Sequence, residues 1–561
     1  MNARKLLTIS LLIALLASAC SAAATPAPPG YNPPRGYNPP PGYHPPPAGG
    51  QAPAATQAPS RERSSAEIAP TQAPPVGVVV PPASDAQCCP PPPPYPTAWP
   101  PYSYPTPVWP EPTYPDYGVA PFIDAREDHL STFAMDVDTA SYTKMRDYIT
   151  HGSLPPSDLV RVEEFLNYFN MEYPDPESGA FSIHLEGGPS PFGGEGTRLL
   201  KVGIQGRHIA GWERKDALLT FVIDVSGSME EENRIGMVKY GLSRLVDRLG
   251  PNDRVAIVAF SETAWVVLEP TSVESRGRIL DAINSLYPVA STNTEAGLRL
   301  GYDLAYRNYR DGAINRVILC SDGLANVGIT DPNVLAQYAQ DYYGRNIFLS
   351  TVGVGHGSYD DRFLEQLADK GNGHYSFLDS DQAAERIFSQ DLEGTLQVIA
   401  KDAKIQVDFN PNAVRSYRLL GYENRAVADQ DFRNNAVDAG EVGAGHSVTA
   451  LYEVQLNPES SGDVVVVRVR YEDPDTRAVS EIAKTFNRSE FQSDFSRASP
   501  RFQLVAAVAQ FAEALRYSPY AEGGRMNDVL NLARAVQYQL PFDSDVAEFA
   551  WLVEQTTRMM R

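Results

Sequence analysis

The chain has 561 residues, with 47 basic against 69 acidic side chains and a net charge of −22. Such a length exceeds one ordinary domain, and such acidity makes a poor nucleic-acid binder, since neutralising phosphates takes clustered Lys and Arg. Four cysteines exclude a disulfide-built scaffold, while 43% hydrophobic residues, among them 29 Tyr and 21 Phe, suffice for real cores. At the N-terminus Arg4 and Lys5 precede an apolar run from Leu6 to Leu16 and the small residues Ala17-Ser18-Ala19. A run of 11 residues is too short to span a bilayer. Charge, apolar stretch and small residues in that order read as a secretory signal over residues 1–20.

Cys20 directly after the small residues resembles the bacterial lipobox, although Ala17 departs from the usual Leu. The resemblance implies lipidation at Cys20 and an exported chain anchored in the cell envelope, on the outer face of the membrane, or in an outer membrane where there is one. A plain signal peptide is the competing reading. Residues 21–120 hold 31 of the 48 prolines, with three tandem hexads starting at Gly30, Gly36 and Gly42. Proline removes backbone donors and fixes φ, so residues 21–121 are expected as a disordered, polyproline-like spacer that tethers a head. Low-complexity filler is the bland alternative, and Tyr95, Trp99 and Trp109 offer rings for a groove or a wall polymer. Cys88 and Cys89 are adjacent, where a mutual bridge is strained; free thiols and intermolecular pairing both stay open.

The head starts at residue 122. An α/β segment over 122–178 is expected to hold a strand at 131–137, a helix from Thr139 to Ile149 and another from Leu159 to Phe169, with Pro155-Pro156 between them. Asp136 and Asp138 superficially resemble a metal loop, but Asp138 and Thr139 read better as helix N-caps. Alternation follows in Phe181-Ile183-Leu185 and Leu200-Val202-Ile204, and again in Ile405-Val407-Phe409, Val448-Ala450-Tyr452-Val454 and Val465-Val467-Val469-Tyr471. Period two means half-buried antiparallel strands, and two strands alone make no sandwich. Residues 179–211 and 399–490 are therefore read as two parts of one β-sandwich, with residues 212–398 inserted between them.

The insert alternates strand and helix. An apolar strand, Ala217–Ile223, leads to a helix striped by Ile235, Val238, Leu242, Leu245 and Leu249 and stopped by Gly250-Pro251. Strand Val255–Phe260, a hairpin at Trp265–Leu268, helices Arg276–Leu286 and Glu295–Tyr306, and strand Val317–Cys320 come next. Helix Val334–Tyr343, strand Ile347–Val354 and helices Arg362–Asp369 and Gln382–Leu396 complete a doubly wound α/β domain. Cys320, in a core strand, is expected as an inert thiol. Over residues 498–561, helices Phe502–Tyr517, Met526–Tyr538 and Val546–Met560 suggest a small bundle on the sandwich.

Ligand sites in doubly wound sheets lie beyond the carboxyl ends of the strands. There stand Asp224-Val225-Ser226-Gly227-Ser228 after the first strand, Ser291-Thr292-Asn293-Thr294 before a helix, and Ser321-Asp322-Gly323 after a third strand. All the donors are oxygens, which disfavours zinc and copper and suits a small hard cation that keeps water, octahedral Mg²⁺ at about 2.0–2.1 Å, with Mn²⁺ or Ca²⁺ as substitutes.

These three loops resemble the metal-ion-dependent adhesion site of von Willebrand factor type A domains. The flanking segments LSTFAMDVDTASYTKMRDYI and LPPSDLVRVEEFLNYF, and the region from about residue 380, are similar to a family of bacterial A-domain lipoproteins. The resemblance covers residues 125–561. It implies Ser226, Ser228 and Thr292 as hydroxyl ligands, with Asp224 and Asp322 bound directly or through water; Thr294 is expected to cap the helix, with Glu295 well placed in its first turn. The fold it implies is an A-type domain inserted in a β-sandwich with helical N- and C-terminal additions. The function it implies is a non-enzymatic, surface-tethered module in which Mg²⁺ accepts an Asp or Glu from a partner protein. An envelope assembly scaffold that makes no use of the metal is the alternative. A hydrolase built on Ser226, Asp322 and His356 is more remote, because Asp-x-Ser-x-Ser is no nucleophile elbow.

Overall fold

The computed structural model describes residues 117–561 apart from residues 136, 211–212, 290, 324–327, 329–330, 356–360, 391–395, 438, 522–524 and 561. The expected signal, Cys20, the spacer up to residue 116 with Cys88 and Cys89, and His356 lie outside the described residues. The head opens with β1 (Ile123–Asp124), β2 (Leu130–Ala134), α1 (Ala140–Thr150), α2 (Val162–Asn167), β3 (Phe181–Pro189) and β4 (Thr197–Gly206). The insert runs through β5 (Ala217–Asp224), α3 (Arg234–Val246), β6 (Arg254–Phe260), β7 (Ala264–Ser272), α4 (Arg276–Asn284) and α5 (Thr294–Arg307). It continues with β8 (Ile314–Ser321), α6 (Pro332–Tyr343), β9 (Phe348–Val354), α7 (Asp361–Lys370), β10 (Tyr375–Leu378) and α8 (Asp381–Glu385). Then come β11 (Val398–Phe409), β12 (Val414–Leu420), β13 (Gly440–Gly443), β14 (Ser447–Leu456), β15 (Asp463–Glu472) and β16 (Val479–Asn487). Three helices close the chain: α9 (Pro500–Leu515), α10 (Met526–Gln539) and α11 (Ser544–Met559).

The fold is α/β, a doubly wound domain inserted in a sandwich with helical additions at both ends. The insert's sheet has the order β10-β9-β8-β5-β6-β7, parallel except for β7, which hairpins back antiparallel on β6. Because β5 and β8 are buried on both faces, their central residues, Phe221-Val222-Ile223 and Val317–Cys320, are continuously apolar rather than alternating. One core packs α3, α4 and α8 on one face, and a second packs α5, α6 and α7 on the other. The sandwich sheets are β1-β12-β14-β4-β3 and β13-β11-β15-β16, with β2 also paired to β11. Inward residues such as Val202, Ile204, Ile405, Val407 and Val467 form their shared core.

The segment before the sandwich is divided between two neighbours. Its strands β1 and β2 pair with β12 and β11, whereas its helices share one core with the C-terminal helices, in which Tyr142, Phe165 and Phe169 meet Phe502, Phe511 and Phe549. Strands β10, β12, β13 and β16 carry no clear period-two signal. In β16 most side chains face solvent, so little apolar pattern is left to read. The helix expected over Gln382–Leu396 is a short α8 that passes into a π-helical turn, Arg386–Gln390. There the guanidinium of Arg386 stacks over Tyr168 and bonds its carbonyl and Asp545.

Candidate metal centre

The central strand β5 delivers Asp224 at its carboxyl end. Register pairs Ile223 with Cys320, so Asp224 comes level with Ser321 and next to Asp322. Asp224 Oδ2 accepts from Ser321 Oγ at 2.7 Å and its Oδ1 from the Ser226 amide at 2.8 Å, an Asx turn that swings the chain over the strand end. The Ser226 and Ser228 hydroxyls then lie 3.0 Å apart. The loop before α5 is pinned to the same rim, since Val289 N donates to Val225 O at 2.6 Å and Asn293 N to Ser261 O at 2.7 Å. Helix α5 sits close beneath it because Gly297 and Gly301 face the sheet; a Cβ at either would lie 2.6 Å from Phe260 or 2.3 Å from Val222.

Asp224, Ser226, Thr292 and Asp322 are buried, and Ser228 is half-buried at the rim. The expected cap Thr294 is corrected: Asn293 caps α5, accepting from the Ala296 amide at 3.0 Å, because its Oδ1 sits one residue earlier, where the free helical amides point. Thr294 is the first helical residue, fully buried, with its Oγ1 unpaired. Thr139 does stand at the N-cap of α1 but makes no side-chain cap bond; Glu164 accepts from the Ser141 amide instead. Cys320 is buried, and burial pushes its thiol up to about 12.

Burial, and then the neighbouring charge of Asp322, push the Asp224 carboxyl up to about 7 against the hydrogen bonds from Ser321 and Ser226. Asp322 Oδ2 accepts from Arg234 Nη1 at 3.0 Å, while its Oδ1 is buried with no hydrogen-bond partner. Among the described residues no group of three or more His, Cys, Asp or Glu is placed to hold a metal. This rim instead combines two carboxylates with hydroxyls. Two close carboxylates under-neutralised by the protein, an orphaned carboxylate oxygen and adjoining hydroxyls fit a hard cation with retained water. The sequence shows Ser321 in its loop but not its bond to Asp224, and it does not single out Arg234. A basic residue opening a helix opposes the macrodipole, and that misfit in Arg234 was the one available signal.

Three family models match consecutive stretches: von Willebrand factor over 110–201, von Willebrand factor type A domain over 219–390, and the C-terminal domain of the uncharacterized protein YfbK over 394–559. YfbK of Escherichia coli is 32% identical over 466 residues, which span 79% of this chain and 80% of that protein. The chain belongs to the YfbK family of von Willebrand factor type A proteins. The Synechocystis protein sll0103 is 26% identical over 286 residues, 49% of this chain and 66% of that protein. Among solved structures, a von Willebrand factor type A protein from Catenulispora acidiphila matches with a TM-score of 0.40 at 16% identity, covering 66% of this chain and 89% of that one. With an A domain at its centre, this YfbK-family chain is a protein-binding module.

Proposed function

We propose that the chain is a lipid-anchored, non-enzymatic binding module of the cell envelope. In this reading its A domain takes up Mg²⁺ on Asp224, Ser226, Ser228, Thr292 and Asp322 and through it grips an Asp or Glu of a partner protein. Mn²⁺ and Ca²⁺ offer the same oxygen chemistry. The observation that carries the reading is the pairing of two buried carboxylates at adjacent strand ends, one with an unpaired oxygen, beside two hydroxyls 3.0 Å apart. Ser321 and the Ser226 amide hold Asp224 by both its oxygens, so its orientation is set before any ion arrives. Asp322 keeps one buried oxygen without a hydrogen-bond partner, and the half-buried Ser228 leaves an approach from solvent. The bound ion would supply an electrophile for the incoming carboxylate. Ser226 is hydrogen-bonded to Ser228, and Asp322 to Arg234.

The test is calorimetric titration of the exported chain with Mg²⁺, followed by pull-down from envelope extract with and without chelator. Saturable Mg²⁺ binding, lost in Asp224→Ala, and a captured protein released by chelation are expected. Heats unchanged by Asp224→Ala would overturn the metal site. Capture indifferent to chelator would leave a scaffold that does not use the metal.

A further inference from the structure

Arg234 is the first residue of α3, and its guanidinium reaches back under the rim to Asp322 at 3.0 Å and to the Ser228 carbonyl at 3.2 Å. It thus touches two of the three loops that would hold the ion. Both partners of the ion pair are nearly sealed from solvent, with side chains 11% and 1% exposed. The surrounding backbone is shaped to admit it. Glu232 and Asn233, just before it, adopt left-handed φ of 49° and 59°, which turns the chain sharply into the helix. Gly355, after β9, has a φ of 109°, and a Cβ there would lie 2.1 Å from Arg234 Nε. Only a glycine leaves that room.

Resting on the metal-site reading above, we infer that Arg234 is an internal counter-cation that competes with the metal for Asp322. It sets the site to a weak, reversible affinity, and it keeps the domain stable when no ion is bound. The competition is electrostatic. Asp322 has one oxygen committed to Arg234 and one left over. A fixed positive charge in contact with a ligand carboxylate repels a divalent ion and withholds part of that carboxylate's charge. Without the ion, the same contact neutralises a carboxylate whose burial would otherwise be costly. A purely structural arginine that merely orients Asp322 makes the opposite prediction, since its loss would loosen the ligand and weaken the metal.

The experiment measures Mg²⁺ and Mn²⁺ affinity by calorimetry, and thermal unfolding with and without metal, for the exported chain and for Arg234→Gln, Arg234→Lys and Asp224→Ala. Arg234→Gln should bind Mg²⁺ at least ten-fold tighter, unfold at a lower temperature without metal, and regain more on saturation than the parent does. Arg234→Lys, which keeps the charge, should stay within three-fold of the parent. Unchanged or weaker binding by Arg234→Gln, while the parent binds through Asp224, would overturn the inference and leave the metal site standing. Absence of binding by the parent itself would instead remove the metal-site reading. Should Arg234→Gln fail to fold, Gly355→Ala, whose methyl displaces the guanidinium, carries the same expectation of tighter binding; weaker or equal affinity there counts against it.

Discussion

Two threonines stand on either side of Asn293, and they differ in what their hydroxyls do. Thr294 lies on the first turn of α5, wholly buried, with an oxygen that bonds to nothing; Thr292 precedes the cap in the loop pinned to Val225 and Ser261. The family resemblance assigns the ligand to Thr292. Thr292→Ala is therefore expected to weaken Mg²⁺ at least ten-fold by calorimetry. Thr294→Val, which removes an unpaired buried hydroxyl at constant shape, should leave affinity within two-fold and keep or raise stability, by up to about 1 kcal/mol. The reverse pattern would transfer the ligand role to Thr294. The aspartates and serines were legible from sequence because they fall in contiguous loops directly after apolar strands. Ser321 was visible as a residue but not as a partner of Asp224, since their bond depends on the register between β5 and β8, 97 positions apart in the chain.

At the scale of elements, one arginine joins three parts of the head. Arg146 on α1 grips Asp379, just past β10, by two bonds of 2.9 and 2.6 Å, and also donates to Tyr168 at 2.8 Å and to Glu548 on α11 at 3.2 Å. The side chains of Arg146 and Asp379 are 6% and 5% exposed, so the pair is effectively dry. Such a pair gains little over an apolar replacement, but breaking it strands a charge at a cost of about 3–5 kcal/mol. Arg146→Met should lower the unfolding free energy by that amount in urea titration. Adding Asp379→Asn should recover a large part of it, because the stranded charge is then gone. Equal effects in the single and double variants would mean that the packing of the long side chain, rather than the ion pair, holds these helices to the inserted domain. Helical spacing placed α1 and α11 on the map, but nothing in either segment announced the other as its partner.

For the molecule as a whole, the inserted domain meets the sandwich through a pair of imidazoles. His374 precedes β10 and His446 lies in the turn between β13 and β14; their rings stand edge to face with centroids 5.3 Å apart. Burial, then His446 and Arg316, hold His374 well below its ordinary value. Burial, then Arg316 and His208, take His446 down to about 4. The folded protein therefore keeps these rings neutral at a pH where the unfolded chain protonates them. Their contribution is complete above about pH 6.5 and is lost as pH falls toward about 4. For His446 it amounts to about 2 kcal/mol after discounting for partial exposure. Urea titrations from pH 7 to pH 4.5 should show a fall in stability that His446→Gln reduces by that amount. Identical slopes for both proteins would remove the imidazole pair from the acid response.

Local pattern by itself determined the inserted doubly wound domain, its framing by two blocks of alternating strands, the three terminal helices and the oxygen-rich loops at the strand ends. Each of these is written in consecutive residues, where burial imposes a period of 2 or 3.6 and strand ends impose turn chemistry. Only the tertiary structure decided how the first segment is shared, with β1 and β2 in the sandwich and α1 and α2 in the helical core. It alone set Arg234 on Asp322, Ser321 on Asp224 and His374 on His446. The physical reason is common to all of these. A long-range polar contact leaves no periodic trace along the chain, because its energy comes from desolvating two groups together, and they meet only when distant elements pack.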